Sequence, residues 1–181
     1  MSAITDTLWT PAGTSSWHNA ANWNSGPPAV ATEKRGRINN GGTAIVTGKT
    51  DSAGIILGFN AAEKGTLIIT NSTAVLSNNL TYIAVAYSGT GIVHHYKGSL
   101  VSGCITNGVT FYMGNNASSS TRYNLYDGST LLFGTVQLGS AGNRTVFNQY
   151  GGTFKLSENR NPNRITNTGR MFFNHGMFNI Y

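Results

Sequence analysis

Short apolar runs recur along this chain, each alternating hydrophobic with polar positions and each bounded by Gly, Asn, Asp or Ser. Period-two alternation over a few residues is the mark of a strand with one buried face. Long stretches rich in Glu, Lys and Ala are missing, so helix is disfavoured nearly everywhere. A turn followed by a short strand returns as Asn40-Gly41-Gly42-Thr43-Ala44-Ile45-Val46, Asn71-Ser72-Thr73-Ala74-Val75-Leu76 and Lys97-Gly98-Ser99-Leu100-Val101. It returns again as Asp127-Gly128-Ser129-Thr130-Leu131-Leu132, Gly151-Gly152-Thr153-Phe154-Lys155-Leu156 and His175-Gly176-Met177-Phe178-Asn179-Ile180. The turns at 42, 72, 98, 128, 152 and 176 are separated by 30, 26, 30, 24 and 24 residues. A second element, an apolar strand ending in a small residue at 58, 88, 114 and 139, keeps steps of 30, 26 and 25. A third strand precedes each main turn, at 66–70, 92–96, 122–126, 145–150 and 171–174.

Two separate elements returning in phase predict an all-β parallel β-helix, or β-solenoid, of about five to six coils with three short strands each. An antiparallel sandwich also spaces short strands this way, but has no reason to repeat two elements in step. Equivalent strands of neighbouring coils then stack about 4.8 Å apart, with alternate residues pointing into a narrow core. The predicted division is 1–36 as an amino-terminal extension and cap and 37–181 as the coils. A solenoid exposes an apolar cross-section at its ends, and the first segment holds all three tryptophans, Trp9, Trp17 and Trp23, as end-covering rings would require. A sugar-stacking platform is the other use of such rings.

The run Trp9-Thr10, Trp17-His18-Asn19-Ala20-Ala21-Asn22-Trp23, Gly26-Pro27-Pro28 and Ile45-Val46 resembles the entry segment of secreted bacterial β-solenoids. These are autotransporter-like passenger regions and related surface repeat proteins. The later coils, with their Gly-x-Leu and Leu-Gly rhythm, are similar to the same group. The resemblance implies a parallel β-helix outside the cell or on its surface, serving adhesion, a matrix or a sheath. It names no activity, because such motifs encode shape.

Charged residues make up 10% of the chain, far below the roughly one quarter of typical soluble domains, so its polar surface rests on Gly, Asn, Thr and Ser. Twelve Lys and Arg against six Asp and Glu give +6, a balance that attracts anionic polymers at low salt. The one tight cluster, Lys34, Arg35 and Arg37, sits among Gly and Asn and reads as a solvated loop, so no nucleic-acid partner is expected. Cys104 is the sole cysteine, which rules out an intrachain disulfide. Residues Met1 to Leu8 lack the basic start and apolar run of an export signal. No stretch approaches the roughly 20 apolar residues of a membrane span, so no membrane insertion is expected.

Six carboxylates supply no facing pair of the kind glycoside hydrolysis uses, and adjacent His94 and His95 on one strand point to opposite faces. No catalytic residue, metal site or cofactor is expected. Arg122, Arg144 and Arg170 each open a third strand, which predicts either a fan of solvated guanidinium groups or a ladder for anionic glycan groups. Tyr96, Tyr126 and Tyr150 each lie just before a main turn, which predicts a ring column that stiffens one face or holds sugars.

The expectation is a non-catalytic structural or adhesive protein, with a glycan-binding module and a polysaccharide lyase or hydrolase as alternatives. The last coil opens at Gly176 and leaves Met177, Phe178 and Ile180 near an uncovered end. Either further coils of a longer chain or the tryptophan-bearing head of a second copy would cover it, and head-to-tail contacts propagate into filaments.

Overall fold

The computed structural model describes residues 3–78, 80–103, 109–133, 135–139, 144–157, 170–173 and 176–180. Cys104 lies outside them, as do the side chains of Arg170, Met177, Phe178 and Ile180. Three parallel ladders run along the chain. The first stacks Thr5–Leu8, Lys34–Ile38, Gly54–Leu57, Ile83–Val85, Val109–Met113, Thr135–Leu138 and Arg170–Phe173. The second stacks Thr14–Ser16, Asn40–Val46, the leading halves of Lys64–Asn78 and Thr90–Gly103, then Ser120–Leu125, Arg144–Gln149 and Gly176–Ile180. The third begins at Lys49–Ser52, passes through the trailing halves of the two long strands, and ends with Ser129–Phe133 and Thr153–Ser157. The chain is an all-β parallel β-solenoid of about five turns, and a single 3-10 turn, Ala20–Asn22, is the one helical element among the described residues.

Strand alternation builds the core. In Lys64–Asn78 the buried positions are Gly65, Leu67 and Ile69, then Ala74, Leu76 and Asn78, two residues apart on each side of a corner. Leu57, Val85, Met113 and Leu138 stand one above another in the first ladder. The residues after them, Gly58, Ala86, Gly114 and Gly139, all turn the chain with φ between 55° and 76°. Three of these four corners use glycine because a Cβ is strained there; Ala86 holds the same conformation with a methyl. The predicted small residue at 88 is therefore two residues late, since the corner is at Ala86.

The interior turns at 98, 128 and 152 obey the predicted phase, with Ser99 over Ser129 and Ser129 over Thr153. The turn at 72 is two residues out, since Val75 rather than Thr73 lies over Ser99. The two outer turns do not obey it. Thr43 to Val46 pair with Thr66 to Ile69, so the strand after Gly42 belongs to the second ladder, not the third. Gly176–Ile180 likewise pairs with the second ladder, and Arg170–Phe173 with the first. Glycine-rich corners stand on either side of a second-ladder strand, and a lone corner does not reveal its side.

The boundary at 36 falls inside Lys34–Ile38. Thr5–Leu8 and Thr14–Ser16 already lie in parallel register with the strands that follow, so the amino-terminal segment stacks as a coil of its own. Its tryptophans are buried: Trp9, Trp17 and Trp23 are 2%, 0% and 3% exposed. Trp23 meets Trp9 and Trp17 edge to face at 5.0 and 4.8 Å, and its indole N–H donates to the Trp17 carbonyl at 2.9 Å. Rings so enclosed are not an open sugar platform, and any contact of a second copy at this end falls on the residues around them. The basic cluster also departs from its expected loop, since Lys34, Arg35 and Arg37 all lie in the strand.

Toward the carboxyl end the core turns aromatic and partly polar. Phe111, Tyr123 and Phe147 pack together, and fully buried His95 joins them. His95 Nε2 lies 3.2 Å from the Gly98 carbonyl, which can only accept, so Nε2 carries the proton. Nδ1 then accepts from the hydroxyl of Tyr123 at 3.0 Å or of Thr130 at 3.3 Å, and the two hydroxyls are 2.9 Å apart.

Candidate functional site: a tyrosine-edged face of the second ladder

Parallel register places Thr90, Ser120 and Arg144 in one row of the second ladder. Every second residue from there points outward, which brings three strands' side chains into columns. The middle column is His94, Asn124 and Asn148. Asn148 donates its amide to the Asn124 carbonyl at 2.9 Å, and the Asn124 amide lies 3.4 Å from His94 Nδ1. Burial, then the charge of Arg122, lowers the His94 pKa, which keeps the ring a neutral acceptor for that amide.

The tyrosines follow at the corner. Tyr126 N–H donates to the His95 carbonyl at 2.9 Å and Tyr150 N–H to Leu125 at 2.8 Å, so inter-coil bonding continues past the assigned strands and locks the register. Tyr96 and Tyr126 stack at 4.7 Å and 7°, Tyr126 and Tyr150 at 5.1 Å and 10°. His94 lies parallel to Tyr96 and Tyr126 at 5.9 and 6.3 Å. The outer two rings are 41% and 46% exposed, the most exposed aromatic rings among the described residues. Burial raises the Tyr126 pKa, with Tyr96 and Tyr150 adding to it, so the phenol stays protonated at neutral pH. Beyond the column, Ser72, Lys97, Gly98, Ser99, Asp127 and Ser129 line an open groove of about 350 Å³.

The predicted tyrosine column thus exists as a stack, and the predicted arginine column does not. Arg122 pairs with Val146, while Arg144 pairs with Ser120, two places away. Arg170 pairs with Thr135 in the first ladder, on another face. Arg122 and Arg144 are diagonal neighbours, both exposed, on the same outward face as the tyrosines.

A second surface went unseen in the sequence because its partners are far apart along the chain. On the outer side of the first ladder Asp6 binds Arg35 at 2.7 Å and Arg37 at 3.0 Å, and Glu63 lies 4.0 Å from Arg37. Arg37 covers the Phe59 ring at 4.1 Å and Arg35 the Tyr82 ring at 5.5 Å. Burial alone would raise the Asp6 pKa, but the hydrogen bonds and charges of the two arginines outweigh it and hold the carboxyl below its usual value. Two cations facing two carboxylates leave this cluster neutral, which makes it a clamp between coils.

Among the described residues no group of three or more His, Cys, Asp or Glu is arranged to hold a metal ion, and no helix is long and apolar enough to cross a membrane. The class of the protein is set by its fold, a parallel β-solenoid. Comparison with protein-family models, with curated proteins and with solved structures returns no match to this chain. Of the resemblance to autotransporter-like repeats, the β-solenoid fold alone is shown, and no family is identified.

Proposed function

We propose that the protein is a non-catalytic structural or adhesive β-solenoid that acts outside the cell or at its surface by holding an extended glycan on the tyrosine-edged face. The observation that carries this reading is the exposed stack of Tyr96, Tyr126 and Tyr150. Rigid stacked rings offer hydroxyls and ring edges at one-coil intervals with little entropy left to lose on binding. The asparagine column and the hydroxyl-lined groove on either side supply further hydrogen-bonding groups. A flat, repeating surface suits a repeating polymer more than a compact ligand, which is held by a concave pocket.

Among the described residues the end strands of each ladder have one hydrogen-bonded neighbour, and such edges pair readily. Their partner in this proposal is a second copy, joined end to end, or the remaining coils of a longer chain.

Affinity electrophoresis through gels containing a panel of polysaccharides tests the binding. The wild type is retarded by at least one polymer, and the Tyr96→Ala/Tyr126→Ala/Tyr150→Ala variant runs free. Equal mobility of the two proteins in every gel would refute the reading. Release of reducing ends or unsaturated products from the retarding polymer would refute its non-catalytic part.

A further inference from the structure

The stack determines more than the presence of a surface. Tyr126 lies between Tyr96 and Tyr150, so both faces of its ring are covered by other rings. An aromatic ring is negative on its face and positive at its edge. Face-to-face stacking therefore hides most of the negative surface and turns toward solvent a column of positive edges and phenolic O–H donors.

The charges agree with the rings. Residues 91–181 carry seven Lys and Arg against two Asp and Glu, a net +5 of the chain's +6. Arg35 and Arg37 of the first ladder are neutralised by Asp6 and Glu63, whereas Lys97, Arg122, Arg144 and Lys155 enter no ion pair among the described residues. Arg122 and Arg144 lie on the tyrosine-bearing face itself, and Lys97 follows Tyr96 into the groove.

Resting on the glycan-binding reading, we propose that this face recognises an anionic glycan, whose carboxylate or sulfate groups meet Arg122, Arg144 and the outward edges and hydroxyls of Tyr96, Tyr126 and Tyr150. Arginine offers a planar fork of donors matched to either group. A nucleic acid fits less well, because single-stranded bases need open ring faces to stack on and the central ring offers none.

The test measures affinity for dextran, carboxymethyl-dextran and dextran sulfate of matched length at low and high salt. The wild type binds at least one charged form on the order of tenfold more tightly than the neutral one, about 1.4 kcal/mol. The preference, read as the ratio of charged to neutral affinity within each protein, shrinks at high salt and falls to about twofold in Arg122→Gln/Arg144→Gln. The two charged polymers separate carboxylate from sulfate recognition. Equal affinity for all three polymers, a preference that survives the arginine variant, or equally tight binding of single-stranded DNA would overturn the inference. If the tyrosine variant abolishes binding while the wild type ignores charge, glycan binding stands and its anionic character falls. If neither this series nor the polysaccharide panel retains the wild type, both fall.

Discussion

His95 makes the solenoid sensitive to acid, and the size of the effect follows from its surroundings. The ring is fully buried among Tyr123, Thr130 and the Gly98 carbonyl, with no carboxylate among these partners to welcome a second proton. Burial holds its pKa down at about 4, against 6.5 for an exposed histidine. Between these values the unfolded chain binds a proton that the folded chain refuses. Stability contributed by the neutral ring is thus complete above pH 6.5 and is lost as pH falls toward 4. At 1.36 kcal/mol for each pH unit, the whole window is worth about 3 kcal/mol. His94 is shifted in the same direction, so the wild type alone does not isolate the effect. The comparison is with His95→Gln, which keeps an amide donor for Gly98 and an acceptor for Tyr123 without titrating. Urea denaturation followed by circular dichroism at pH 7 and pH 4.5 should show the wild type losing about 2 to 3 kcal/mol more than the variant. Equal losses in the two proteins would refute the reasoning.

A methyl added at Gly128 would collide with the His95 ring, so Gly128→Ala should cost about 1–3 kcal/mol in thermal or urea denaturation. That cost should shrink in a His95→Ala background, and strict additivity would count against the contact. Asp6→Asn removes the carboxylate between Arg35 and Arg37 and should cost about 1 kcal/mol, less at high salt, since the pairs are partly exposed. Because the Asp6 pKa is held below its usual 3.8, this contribution is present above pH 3.8 and fades below it. Wild type and variant should then converge in stability in acid, and a constant gap down to pH 2 would contradict the clamp.

The parts of this fold that could be read in advance are those in which one residue type repeats at the coil step. Tyr96, Tyr126 and Tyr150 are 30 and 24 residues apart, the same spacing as Ser99, Ser129 and Thr153, and the stack follows. The burial of Trp9, Trp17 and Trp23 was legible because the chain's three largest side chains fall together within one short segment and need cover. The outer turns misled, since Gly42 and Gly176 have the same local chemistry as Gly98 and Gly152 but lie on the other side of a second-ladder strand. The arginines misled for a related reason. Arg144 opens its strand, but Arg122 is the third residue of Ser120–Leu125, and this two-residue offset turns a column into a diagonal. The Asp6 clamp, spanning 29 and 31 residues to its arginines, left no local trace.

The central claim is that the tyrosine-edged face of the second ladder is where the partner binds. Titrating protein carrying ring-labelled tyrosine with the charged dextran that binds, while recording assigned NMR resonances, tests it most directly. The account predicts that Tyr96, Tyr126 and Tyr150 shift and saturate together while Tyr82, and Tyr87 and Tyr112 whose rings pack against it beside the first ladder, stay still. Shifts confined to Tyr82, Tyr87 and Tyr112, or no shift of the stacked three at saturation, would contradict it.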